Sequence, residues 1–83
     1  MTRRSYNDQL YAKFRYDVRK RDKRCKWPNC CKNKKLQVHH ILPWKTYPLL
    51  RYQTTNGITL CLAHHKMVTG HELTYAKFLL SLI

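Results

Sequence analysis

Val38-His39-His40-Ile41 is an adjacent histidine pair held between β-branched residues, and Leu42-Pro43-Trp44 closes the segment behind it. Alternation and β-branched content over residues 36–41 predict a strand that ends before Pro43. Outward from it, residues 44–55 read as an irregular stretch and Asn56-Gly57 as a tight-turn pair. Ile58-Thr59-Leu60 follows as a short second strand, and residues 61–69 as a helix stopped by Gly70. Residues 36–69 therefore read as strand, turn, strand, helix, with a second histidine pair, His64-His65, on the helix.

The flanks complete one small α+β domain spanning residues 1–83. Residues 1–5 read as a mobile basic tail. Ser5-Tyr6-Asn7-Asp8 has the S-x-x-D form of a helix start. Leu10, Tyr11, Phe14 and Val18 then share one face of a helix over residues 6–21, within a basic segment 6–24. At the other end Tyr75, Phe78, Leu79 and Leu82 mark a C-terminal helix over residues 71–82, with His71 as a surface residue at its start.

An 83-residue chain buries too small an apolar core to be very stable without a staple. Its four cysteines, Cys25, Cys30, Cys31 and Cys61, sit beside histidines, and no apolar secretory segment accompanies them. Reduced, metal-binding thiols in a cytoplasmic protein fit this pattern better than two disulfides. Pro28-Asn29 inside the cysteine-bracketed segment reads as a turn that aims two thiolates at one ion. Cys61 and His64, three residues apart, meet on one helical turn. Cys25, Cys30, Cys61 and His64 would form a closed Cys3His structural zinc set, with Cys30 favoured over Cys31 as the second thiolate.

Charge supplies the second constraint. Seventeen Lys and Arg against four acids give +13, which favours a polyanion, and nucleic acid is the default partner. Residues 1–35 carry thirteen bases and three acids, so the charge is concentrated in the N-terminal arm. Lys13, Arg15, Arg19, Lys20 and Lys23 form the polar face of its helix and are the candidate phosphate contacts, joined by Arg51 on the irregular connection. Asp8, Asp17, Asp22 and Glu72 lie far in sequence from the histidine pairs, so a carboxylate-cluster two-metal nuclease is hard to build from them and divalent-metal chemistry must lean on imidazole. No apolar run approaches the roughly 20 residues that span a bilayer, so no membrane partner is expected. A C2H2 finger fails on spacing, since His39 and His40 are adjacent.

Taken together, Val38-His39-His40-Ile41, Asn56-Gly57-Ile58-Thr59-Leu60-Cys61 and His64-His65 resemble the HNH endonuclease motif on a ββα-metal fold with flanking zinc half-sites. Arg21-Asp22 ahead of Cys25 resembles the lead-in of these nucleases. The resemblance covers roughly residues 6–80. It implies DNA phosphodiester hydrolysis to 5′-phosphate and 3′-hydroxyl ends, with His40 as general base and Asn56 bracing the loop. His39 and His65 would be ligands of a catalytic Mg²⁺, Mn²⁺ or other divalent transition ion. It further implies a phage or mobile-element context in a bacterial cell. The alternative is a non-catalytic, zinc-stapled DNA-binding accessory protein. His64 stands where the family often has a second cysteine, which leaves the roles of His64 and His65 exchangeable. Because adjacent strand residues point to opposite faces, joint use of His39 and His40 calls for a twist or bulge just before Pro43.

Overall fold

A computed structural model describes residues 8–30 and 32–83. The N-terminal tail, the Ser5 cap and Cys31 lie outside the described residues. The elements are α1 (Asp8–Asp22), β1 (Leu36–His40), β2 (Gly57–Cys61), α2 (Leu62–Val68) and α3 (Glu72–Leu80). Two short 3₁₀ turns, Pro48–Leu50 and Thr54–Asn56, lie between the strands. The expected α+β class is observed: three helices around a two-stranded antiparallel sheet.

Phe14 and Val18, one helical turn apart, are the buried residues of α1's apolar face. They pack so closely on β2 that a Cβ added at Gly57 would fall 2.7 Å from atoms of both side chains. Glycine at that position is thus set by close approach of two elements. Leu10 departs from the expected stripe and is 49% exposed. The periodicity holds for Phe14 and Val18, and for Tyr11, whose ring stacks with His40 of β1, while Leu10 lies at the margin of that face.

Asp22 and Arg21 tie the end of α1 to β2. The Asp22 carboxylate is buried, accepts from the Thr59 amide at 2.8 Å and receives Arg21 Nε at 2.7 Å. The same guanidinium donates to the carbonyls of Gly57 and Thr54 at 2.7 and 2.8 Å. Removing one partner would leave a buried charge and a strand amide without compensation. The chain leaves α1 through Lys23 in the left-handed region (φ 69°), and the Lys26 amide then donates to the Thr59 carbonyl. Asp22 and Lys26 together satisfy the outer edge of β2, which would otherwise remain open to another strand.

The register pairs Leu36 with Cys61, Val38 with Thr59, His39 with Ile58 and His40 with Gly57. Pairing runs unbroken through both histidines, so the bulge expected before Pro43 is absent. Asn56-Gly57 is not a tight hairpin turn either: Gly57 is extended (φ −123°, ψ 145°) and begins β2. The strands are joined instead by residues 41–56, closed at their base where the Ile41 amide meets the Asn56 carbonyl at 2.8 Å. The 3₁₀ turns satisfy backbone groups that a structureless loop of this length would leave to water.

Cys61 ends β2 and caps the start of α2. Gly70, at φ 87°, turns the chain sharply into α3. Ile41, Ile58, Leu60, Val68, Ala76 and Leu79 form the apolar core with Cys25 and Cys61, while Leu36, Tyr75 and Leu82 pack on its margin. No helix among the described residues is long and apolar enough to cross a membrane.

Candidate metal centre and histidine pocket

The two cysteine half-sites converge. One ligand atom from each of Cys25, Cys30, Cys61 and His64 lies within 4.8 Å of the others. His64 Nδ1 is 3.2 Å from Cys61 Sγ and 3.5 Å from Cys25 Sγ. Tetrahedral zinc with ordinary Zn–S and Zn–N bonds would set such an edge at about 3.6 Å, so the donor set suits one small tetrahedral ion. The knuckle is shaped by Asn29 in the left-handed region (φ 65°) and by a Cys30 amide bond to the Trp27 carbonyl. Burial pushes the Cys25 thiol up to about 11. Burial acts in the same direction on Cys61, but the amides of His64 and Ala63 at the helix start, with the Cys25 and Cys30 thiols, outweigh it and bring that thiol below its ordinary value. The Trp27 ring stacks on His64 at 4.7 Å and covers it.

His65, the next residue, faces a different pocket. Consecutive helical residues diverge by about 100°, and His65 turns toward His39, with ring centroids 5.6 Å apart and nearly perpendicular. The roles that the sequence left exchangeable are thereby separated: His64 joins the thiols, and His65 joins His39. His39 is 4% exposed, and its Nε2 is buried without a hydrogen-bond partner among the described residues. Burial first, then the proximity of His65, lowers its pKa to about 4. An unsatisfied buried nitrogen carries a cost that a cation would relieve.

His39, His40 and His65 line one pocket of about 520 Å³ with Tyr11, Trp44 and Glu72. Val38, His39 and His40 are consecutive and all reach it, so the pocket wraps around the edge of β1 that no strand among the described residues pairs with. A regular strand can in this way present both histidines to one space.

His40 is held on three sides. Its Nε2 donates to the Arg51 carbonyl at 2.8 Å, and since a carbonyl only accepts, the neutral ring keeps its lone pair on Nδ1. Its plane stacks on Phe14 at 4.7 Å, and Trp44 meets it edge-on at 5.5 Å. Burial, helped by the Arg51 charge and opposed by the carbonyl bond, lowers its pKa. Asn56, 3% exposed, fixes the connection that carries Arg51. Its Oδ1 accepts from the Leu42 amide at 2.8 Å, and its Nδ2 donates to the carbonyls of Leu42 and Leu50 at 3.2 and 3.4 Å. The Asn56 side chain thus braces the connection.

The basic residues divide into three groups. Arg15, Arg19, Lys20 and Lys23 follow one face of α1 and line a shallow groove with Ala12, Tyr16 and Leu36. Lys13 lies off that groove, paired to Asp17 at 2.8 Å. Arg51 is stacked 4.2 Å over Trp44 and donates from Nε to the Trp44 carbonyl at 3.1 Å, so its side chain holds the connection together.

Two features escaped the sequence reading. Arg21-Asp22 reads from sequence only as a lead-in, whereas at the end of α1 the pair latches the helix to β2. Glu72, set apart from the histidine pairs in the sequence analysis, lines the histidine pocket, so the pocket includes one carboxylate. No protein-family model, curated protein or solved structure matches this chain.

Proposed function

We propose that the chain is a small metal-dependent DNA endonuclease of the HNH type, built on a ββα-metal fold and stapled by structural zinc. One observation carries the reading. The buried His39 Nε2, without a hydrogen-bond partner among the described residues, shares a pocket with His65 and with His40, a neutral imidazole locked in one tautomer.

His39 and His65 are the protein ligands that would hold a catalytic divalent ion, and imidazoles suit a transition ion or Mn²⁺ better than Mg²⁺. When bound, that ion supplies charge stabilisation for the attacked phosphate and the departing 3′ oxygen. His40 Nδ1 takes a proton from the attacking water, and its depressed pKa keeps it unprotonated and ready near neutral pH. The water oxygen bonds to phosphorus as the P–O3′ bond breaks, leaving 5′-phosphate and a 3′-oxygen that takes up a proton. Phe14 and the Arg51 carbonyl fix the imidazole plane, and Asn56 holds the connection that carries this carbonyl. The α1 groove with Arg15, Arg19, Lys20 and Lys23 supplies phosphate contacts. The reduced thiols suit a cytosolic setting, and the HNH reading suits a phage or mobile element.

Plasmid cleavage tests the proposal. The intact protein should nick or linearise plasmid in Mg²⁺ or Mn²⁺, and His40→Ala should lower the rate by at least the ~100-fold ascribed to a general base. Undiminished cleavage by His40→Ala would remove the base assignment. DNA binding without cleavage by any divalent ion would favour the accessory-protein reading.

A further inference from the structure

We infer that the basic face of α1 takes single-stranded DNA, with an unpaired base stacked on Tyr16. The inference rests on the proposed reading of that face as the DNA-contacting surface, and it names the form of DNA the surface fits.

The groove is built from one helical stripe. Ala12, Arg15, Tyr16, Arg19, Lys20 and Lys23 recur three and four residues apart, so they share a face of α1, and they line the groove with Leu36 at the start of β1. Tyr16 lies in the middle of the stripe and is 62% exposed. Its ring meets no other aromatic ring among the described residues; Lys20 Nζ lies 5.7 Å from its centroid. No described acid lines the groove: Asp17 is paired with Lys13, and Asp22 is bonded to Arg21 and Thr59.

Charge and shape together select the ligand. Arg15 and Arg19, and Arg19 and Lys23, stand four residues apart, a spacing at which like charges destabilise a helix. A polyanion laid along the stripe relieves that repulsion. Phosphate alone leaves the Tyr16 ring without a use. A duplex turns its bases inward and offers a shallow groove its backbone, whereas an unpaired strand offers a π-face at every base, and an exposed aromatic flanked by cations is the arrangement that holds it. Arg15 also stands 5.7 Å over the Tyr11 ring, and Tyr11 lines the histidine pocket. α1 therefore leads from the groove to the pocket, and a strand stacked on Tyr16 can continue to the histidines.

The test is fluorescence anisotropy with three labelled probes of equal length: oligothymidylate, an abasic strand and a duplex. Each is titrated with the full chain, its cysteine site filled by zinc and no other divalent ion present. At raised salt, where phosphate contacts count least, the intact protein should bind oligothymidylate more tightly than either other probe. Tyr16→Ala should weaken oligothymidylate binding by about 5- to 150-fold, the range that one stacked base supplies. It should leave the abasic strand, the duplex, the salt slope and thermal unfolding unchanged. Tyr16→Phe, which keeps the ring, should bind nearly as the intact protein does. A duplex or abasic strand bound as tightly as oligothymidylate at raised salt overturns the inference, as does a Tyr16→Ala protein that weakens all three probes alike or none, or a Tyr16→Phe protein as weak as Tyr16→Ala; α1 then remains a phosphate-contacting face only. Absence of binding to every probe removes the DNA face and the inference together. Plasmid cleavage is read separately: a protein that holds oligothymidylate through Tyr16 yet cuts no plasmid keeps this inference and loses the nuclease reading.

Discussion

Replacing Asn56 tests the geometry on which the pocket depends. The side chain is buried, accepts from the Leu42 amide, and donates to two carbonyls across the connection. Asn56→Ala leaves that amide without an acceptor, at about 1–3 kcal/mol, and adds the loss of two weaker bonds. The sum is about 2–4 kcal/mol, or a fall in Tm of roughly 10–30 °C for a domain of this size. Asn56→Asp should be as damaging at neutral pH for another reason: one oxygen still serves the Leu42 amide, but the other faces two carbonyls. Protonation would let that oxygen donate. The introduced carboxyl would then have a folded-state pKa above its unfolded value of about 3.9, and the deficit relative to the intact protein should shrink as pH falls from 7 toward 5. Calorimetry of both variants with zinc in excess measures this. An Asn56→Ala protein that melts within about 2 °C of the original would refute the brace, since an orphaned buried amide is not that cheap.

Three further outcomes follow from the structure. Chelation, or Cys30→Ser, should unfold the protein as well as abolish function, because a structural zinc site contributes on the order of 10 kcal/mol of apparent folding energy; native circular dichroism after complete metal removal would contradict this. His39 is neutral when folded, with its pKa lowered from 6.5 to about 4, so its contribution is present above pH 6.5 and lost as pH falls toward 4. That shift predicts about 2 kcal/mol less stability at pH 5 than at pH 7 in the absence of added divalent ion, and urea unfolding of His39→Gln should show a flatter pH slope. DNA affinity should fall steeply with salt, and Arg19→Ala or Lys20→Ala should each reduce the slope by about 1; an unchanged slope would mean that this face of α1 is only solvated.

The parts of the fold that were legible are those encoded locally. Cys61 and His64 meet because they are three residues apart on a helix, and Cys25 and Cys30 because a turn separates them, so the cluster could be read from spacing alone. Phe14 and Val18 were readable from period, but Leu10 was not, since period shows which face is apolar and not where its margin falls. Asn56-Gly57 has the local propensity of a tight turn, yet Gly57 is needed for its missing side chain beneath Phe14 and Val18, and tertiary packing prevailed. A twist or bulge is expected because the pattern cannot reveal that no strand among the described residues pairs with the outer edge of β1. Glu72 depends on the direction of one turn at Gly70, which residue type permits but does not specify.

Cys61 closes β2, opens α2 and contributes a sulfur to the cluster, and three residues later His64 and His65 divide between two sites. The cluster could therefore work as a gauge block for the pocket: an ion held on one side of α2 would set the bearing of the imidazole on the other. With side-chain tips about 5–6 Å from the helix axis, a rotation of about 10° moves His65 by about 1 Å, a misplacement on the scale that costs on the order of 100-fold in rate. If zinc fills the cluster as proposed, exchanging it for an ion of larger radius would then detune the pocket from a distance, with every residue that lines it unchanged.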